Sequence, residues 1–80
     1  MTVLAVFRSR AQALDCISLL RKGGIPVSAV GTPAEAGVGC GISVRFDERF
    51  FTRVRSILGG RRYSSFAGFL RRTPYGYERA

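Results

Sequence analysis

The apolar positions of this chain change their spacing from segment to segment, and each spacing predicts an element. "TVLAVF", residues 2–7, is an unbroken apolar run rich in branched and aromatic side chains, the pattern of a strand buried on both faces. Ser9 followed by Gln12 has the spacing of a capping box, which predicts a helix start. Ala13, Cys16, Ile17 and Leu20 then share one face at a 3.6-residue period, with Leu14 and Leu19 at its margins and Asp15, Ser18, Arg21 and Lys22 further out. Gly23 and Gly24 end that helix.

"IPVSAV", residues 25–30, predicts a second strand, with Pro26 at its start, where a missing N–H does least harm. "GTPAEAGVGCG", residues 31–41, holds four glycines and a proline and predicts a loop with at most one helical turn. "ISVRF", residues 42–46, alternates, with Ile42, Val44 and Phe46 on one face and Ser43 and Arg45 on the other. Asp47 can cap a second helix whose stripe is Phe50, Phe51, Val54, Ile57 and Leu58, ended by Gly59 and Gly60. "RYSSFAGFL", residues 62–70, predicts a fourth strand, although Tyr63, Phe66 and Phe69 do not keep one parity and Gly68 suggests a bulge or an edge.

The resulting order is βαββαβ. Two amphipathic helices can bury their stripes only by lying together on one face of a sheet, so the expected fold is α+β, a ferredoxin-like two-layer sandwich with an antiparallel four-stranded sheet. The other sheet face is expected to stay open. Residues 1–70 form a single domain in this reading, and 71–80, "RRTPYGYERA", a basic mobile tail.

Composition narrows the function classes. An 80-residue domain buries only roughly 60% of its unfolded surface, which disfavours a deep enzyme cleft. No apolar run approaches a membrane span, and "VLAVF" followed by Arg8 and Arg10 is too short for a signal sequence, so a cytoplasmic protein is expected. Thirteen basic residues, all but Lys22 arginine, against five acidic ones give a net charge of +8 and an affinity for anions, without saying which anion. With no histidine and no CxxC pair, neither a metal site nor a cofactor is expected.

Candidate chemistry then falls on the two cysteines. Cys16 lies on the apolar stripe of the first helix and is expected in the core, where burial raises a thiol pKa. Cys40 stands between Gly39 and Gly41, and two readings fit it. It can be a small apolar filler in a turn. It can equally be an accessible thiol whose anion is supported by loop N–H groups and by Arg45. No base is placed to activate it, so the chain is not expected to be an enzyme.

"FRSRAQAL", "LLRKGGIPVSAV" and "GTPAEAGVGCGISVRF" together resemble a family of selenium/sulfur carrier-like proteins, small bacterial domains with a "TP" and then a "GCG" entering the third strand. The likeness spans about residues 3–60. The chain departs from the family's common "ISSG" before the cysteine, with "AGVG" at 36–39, and has Ile17 where an acidic residue is common. The resemblance implies that Cys40 carries sulfur or selenium as a persulfide or selenopersulfide, with Thr32, Pro33, Gly39 and Gly41 as its loop motif. It also implies sulfur or selenium donor and acceptor proteins as partners. Two other readings stand beside it: a small interaction module or homo-oligomer working through the open sheet face or an edge, and a nucleic-acid-binding domain, since βαββαβ is also the order of RNA-recognition sheets.

Overall fold

A computed structural model describes residues 1–37 and 40–80. The elements are β1 (Thr2–Phe7), α1 (Arg10–Lys22), β2 (Ser28–Gly31), β3 (Ile42–Asp47), α2 (Phe51–Arg61), β4 (Phe66–Thr73) and β5 (Gly76–Arg79), with single 3₁₀ turns at Ala34–Ala36 and Glu48–Phe50. All five strands join one sheet in the order β2-β3-β1-β4-β5, and every neighbouring pair is antiparallel.

The four-stranded sheet expected from the pattern is therefore one strand short. Residues 71–73 extend β4, and Gly76–Arg79 fold back on it, Thr73 pairing with Gly76 and Leu70 with Arg79. The segment read as a basic tail is thus half of a hairpin. Its polar, arginine-rich sequence hid it, because an edge strand with little apolar surface to bury leaves a weak alternation.

Both helices lie on one face. Ala13, Cys16, Ile17 and Leu20 of α1 and Val54 and Leu58 of α2 share a buried cluster with Val3, Ala5, Phe7, Val44 and Phe46 of the sheet. The mixed parity of the aromatics resolves at a bulge: Val6 pairs with Gly68 but Phe7 with Phe66, so Ala67 is the extra residue. Phe66 and Phe69 therefore both reach the helix side, with ring centroids 5.0 Å apart, and Phe69 meets Phe51 at 4.9 Å. Gly68 itself sits at φ 121°, a conformation that side chains disfavour.

The helix ends show how local signals were redirected. Ser9 caps α1 by accepting the Gln12 N–H at 3.2 Å, but the Gln12 side chain does not return to Ser9. Its Oε1 instead accepts the Ser65 N–H (2.9 Å) and hydroxyl (2.6 Å), while the Ser9 N–H donates to Ser65 Oγ at 3.2 Å, tying the start of α1 to the start of β4. Asp47 caps the 3₁₀ turn that precedes α2, accepting the Arg49 N–H at 2.9 Å. Nor does α2 stop at Gly59 and Gly60; it runs to Arg61 and ends with Arg62 at φ 56°. That last turn is held by Asp15 of α1, which accepts bonds from Arg61 (3.1 Å) and from the Tyr63 hydroxyl (2.6 Å).

The second sheet face is not open. Leu4, Val6 and Leu70 are buried there together with Ala36 from the β2–β3 connector. The loop residues 33–37 lie over this face as a strap.

Candidate functional site

Cys40 stands at the end of the sheet where β1 gives way to α1. Its backbone N–H donates to the Phe7 carbonyl at 3.1 Å, and Phe7 lies two residues before the Ser9 cap. Its side chain is half-buried and packs against the helix-side cluster. The thiol donates to the Ile42 carbonyl at 3.3 Å. Deprotonation removes that donor and would leave an anion facing a carbonyl oxygen, so the reactive form requires the side chain to turn away from Ile42.

The loop motif is anchored at its base. Thr32 donates its N–H to the Gly41 carbonyl at 3.3 Å, and its hydroxyl meets the hydroxyl of the fully buried Ser43 at 2.7 Å. Ser43 has the parity of the second face, and this bond is what satisfies its buried hydroxyl. Pro33 leads into the 3₁₀ turn, which closes with Gly37 at φ 71°. Gly41 takes φ 90° directly after Cys40 and lets the chain turn into β3. Gly39 lies outside the described residues.

Two expected electrostatic supports are not assembled. Arg45 pairs with Leu4 on β1 whereas Cys40 bonds to Phe7, a displacement of about 10 Å along the strand. It also projects from the face opposite the helices, while Cys40 packs on the helix side, so alternation carries its charge away. The N–H of Cys40, expected to help support the sulfur, is committed to Phe7. Arg8, exposed and adjacent to Phe7, is carried by the chain path to the end of the sheet where Cys40 sits. Only the pairing of β1 with the connector reveals this, and no spacing in the sequence signals it.

The two thiols differ sharply. Cys16 is fully buried among Phe7, Leu20 and Val54, and burial, aided by the Asp15 charge, pushes its pKa up to about 12. It stays a thiol at any physiological pH. Asp15 beside it is exposed, and the Tyr63 hydroxyl and then Arg61 hold its carboxyl below the usual range.

The strap supplies what the base anchors cannot. A backbone hydrogen bond contributes about 1 kcal/mol net, whereas ordering one residue costs on the order of 1–2 kcal/mol. The two backbone bonds at the base, Thr32 to Gly41 and Cys40 to Phe7, therefore cannot hold the connector alone. Burial of Ala36 on Leu4, Val6 and Leu70 and a bond from the Tyr77 N–H to Glu35 Oε2 (3.2 Å) hold its far end. Glu35 stands five residues before Cys40 in the sequence, close enough for its charge to oppose a thiolate, yet the fold holds its carboxylate on β5, two strands from β1.

Among the described residues no group of three acidic, cysteine or histidine side chains could hold a metal ion, and no helix is long and apolar enough to cross a membrane. No curated protein and no solved structure matches the chain. A family model described as "Putative Se/S carrier protein-like" matches residues 2–64, which include Cys40 and the whole of its connector. With more than three quarters of its 80 residues inside that match, the chain belongs to this Se/S carrier-like family.

Proposed function

We propose that the protein carries sulfane sulfur or selenium on Cys40 and hands it to an acceptor protein. One observation supports this above the others: within the family-matched region, the thiol of the "GCG" loop is half-buried at the end of the sheet, while the chain's other thiol is sealed in the core. A carrier needs no substrate pocket and no resident base, only a thiol that a partner's sulfur can approach in line.

The step balances without an external oxidant. The Cys40 thiolate attacks the outer sulfur of a donor persulfide, a Cys40 S–S bond forms as the donor's S–S bond breaks, and the donor thiolate leaves with the electron pair. Delivery is the same exchange in reverse, with the acceptor's thiolate attacking the outer sulfur and the Cys40 thiolate leaving. The corresponding selenium adduct is a selenopersulfide. The strand order β2-β3-β1-β4 and the two helices on one face support reading the first four strands as a ferredoxin-like core, to which β5 is added.

Incubation of the full chain with a cysteine desulfurase and cysteine, followed by intact-mass measurement, tests the proposal. A reductant-labile gain of one sulfur atom is expected on the wild type and on Cys16→Ala, and none on Cys40→Ser. No adduct on the wild type, or an equal adduct on Cys40→Ser, sinks it.

A further inference from the structure

Strands β2 and β3 are hydrogen-bonded neighbours, with Gly31 opposite Ile42, and a two-residue turn is enough to join such a pair. The chain instead sends residues 33–37 out over the second sheet face to β5, the strand at the far edge. Three contacts fix the far point of this excursion. Ala36 is buried on Leu4, Val6 and Leu70, Glu35 Oε2 accepts the Tyr77 N–H at 3.2 Å, and Gly76 leaves room for the carboxylate. A Cβ on Gly76 would stand 2.5 Å from Glu35 Oε2, and the residue's φ of 135° independently favours glycine. Gly76 and Tyr77 lie beyond residue 64, where the family match ends.

We propose that Glu35 and the β4–β5 hairpin form a clasp that positions Cys40. Glu35 is a positioning residue, the Tyr77 N–H is its anchor, and Gly76 is the residue that lets the two meet. The clasp does two things at once. It keeps the strap down, so that Cys40 enters β3 from a fixed direction with its sulfur on the Ile42 carbonyl. It also holds the connector's only carboxylate on β5, away from the thiol whose anion it would oppose. The inference rests on the carrier reading only for the use made of the thiol, since the geometry of the clasp stands on its own contacts.

Iodoacetamide alkylation of the full chain, with Cys40 and Cys16 read separately by peptide mass spectrometry, tests the clasp. Glu35→Ala is expected to raise the Cys40 rate about fivefold, the loss of one exposed charge-assisted bond, while Cys16 stays unlabelled. Glu35→Gln, whose amide oxygen still accepts the Tyr77 N–H, is expected to stay within about twofold of wild type, which separates the contact that glutamine keeps from the negative charge that it loses. Gly76→Ala, whose methyl group displaces the carboxylate, should also raise the Cys40 rate, by less than Glu35→Ala because the freed carboxylate opposes the thiolate, and should add nothing to Glu35→Ala in the double variant. A Cys40 rate unchanged in both Glu35→Ala and Gly76→Ala overturns the proposal. A parallel rise at Cys16 overturns it too, because it marks loosening of the whole domain. Alkylation needs no sulfur donor, so a failed persulfide assay beside an intact alkylation response removes the carrier reading and leaves the clasp, and the opposite pair of results does the reverse.

Discussion

One sheet is covered in two different ways. The helix face is sealed by two amphipathic helices over Phe7, Val44 and Phe46, with aromatic rings from α2 and β4 closing the layer. The second face is covered by a strap whose one buried side chain is Ala36, over the small group Leu4, Val6 and Leu70. The helix face holds most of the buried apolar area and so most of the stability. The strap contributes little area but fixes residues 33–37 over the sheet. Most of the stability thus lies on the helix side, where the Cys40 side chain also packs, while the strap lies on the other, and a change under the strap need not carry over to the helix face.

That separation can be broken most forcefully at Phe7. This fully buried ring packs edge-on to Tyr63 (5.4 Å) and Phe66 (5.5 Å), so Phe7→Ala is expected to cost about 3–5 kcal/mol and to expose Cys16 and Cys40 to alkylation together. Urea denaturation followed by circular dichroism measures the loss, and a cost below about 1 kcal/mol would contradict the weight given to the helix face. A smaller effect is expected from Ala36→Asp, which places an unpaired carboxylate under the strap at a cost of about 2 kcal/mol. Here Cys40 should gain reactivity while Cys16 stays protected, and the cost should shrink as acid neutralises the new side chain. Equal gains at both cysteines would erase the distinction between the faces.

The smallest effect sharpens the comparison from the alkaline side. Cys16 keeps its proton in the folded protein up to about 12, whereas the usual thiol value is 9.0. The folded state therefore binds more protons than the unfolded chain between those values, and stability is fully present below the lower one and falls as pH rises toward the upper. Tyr63, raised by burial and by its bond to Asp15, adds a slope of the same sign. Cys16→Ala should flatten the alkaline decline of the urea midpoint without abolishing it, and an unchanged slope would show that Cys16 is not sealed in the native state.

What could be read from the sequence divides along the same line. The stripes of α1 and α2, the apolar run of β1 and the alternation of β3 each repeat a period imposed by burial on the helix side, so those elements and Cys16's place in the core were legible. Gly68 also announced its bulge. The strap has no period, because a segment that crosses a sheet face buries one residue, Ala36, and turns its neighbours to solvent. Strand β5 was hidden by its arginine and tyrosine content, and with it the partner of Glu35. Arg45 was assigned to Cys40 by nearness along the chain, yet in an extended strand even a few residues amount to a long distance, and alternation then selects the face.

The contact between Glu35 and Tyr77 spans 42 residues of chain. During synthesis the strap emerges first and its anchor 42 residues later, and at about 5–20 residues per second the interval is roughly 2–8 s. For that time the nascent chain carries its "GCG" thiol beside a strap that has Leu4 and Val6 to cover but no anchor on β5. The cysteine's surroundings are completed only once Tyr77 has left the ribosome.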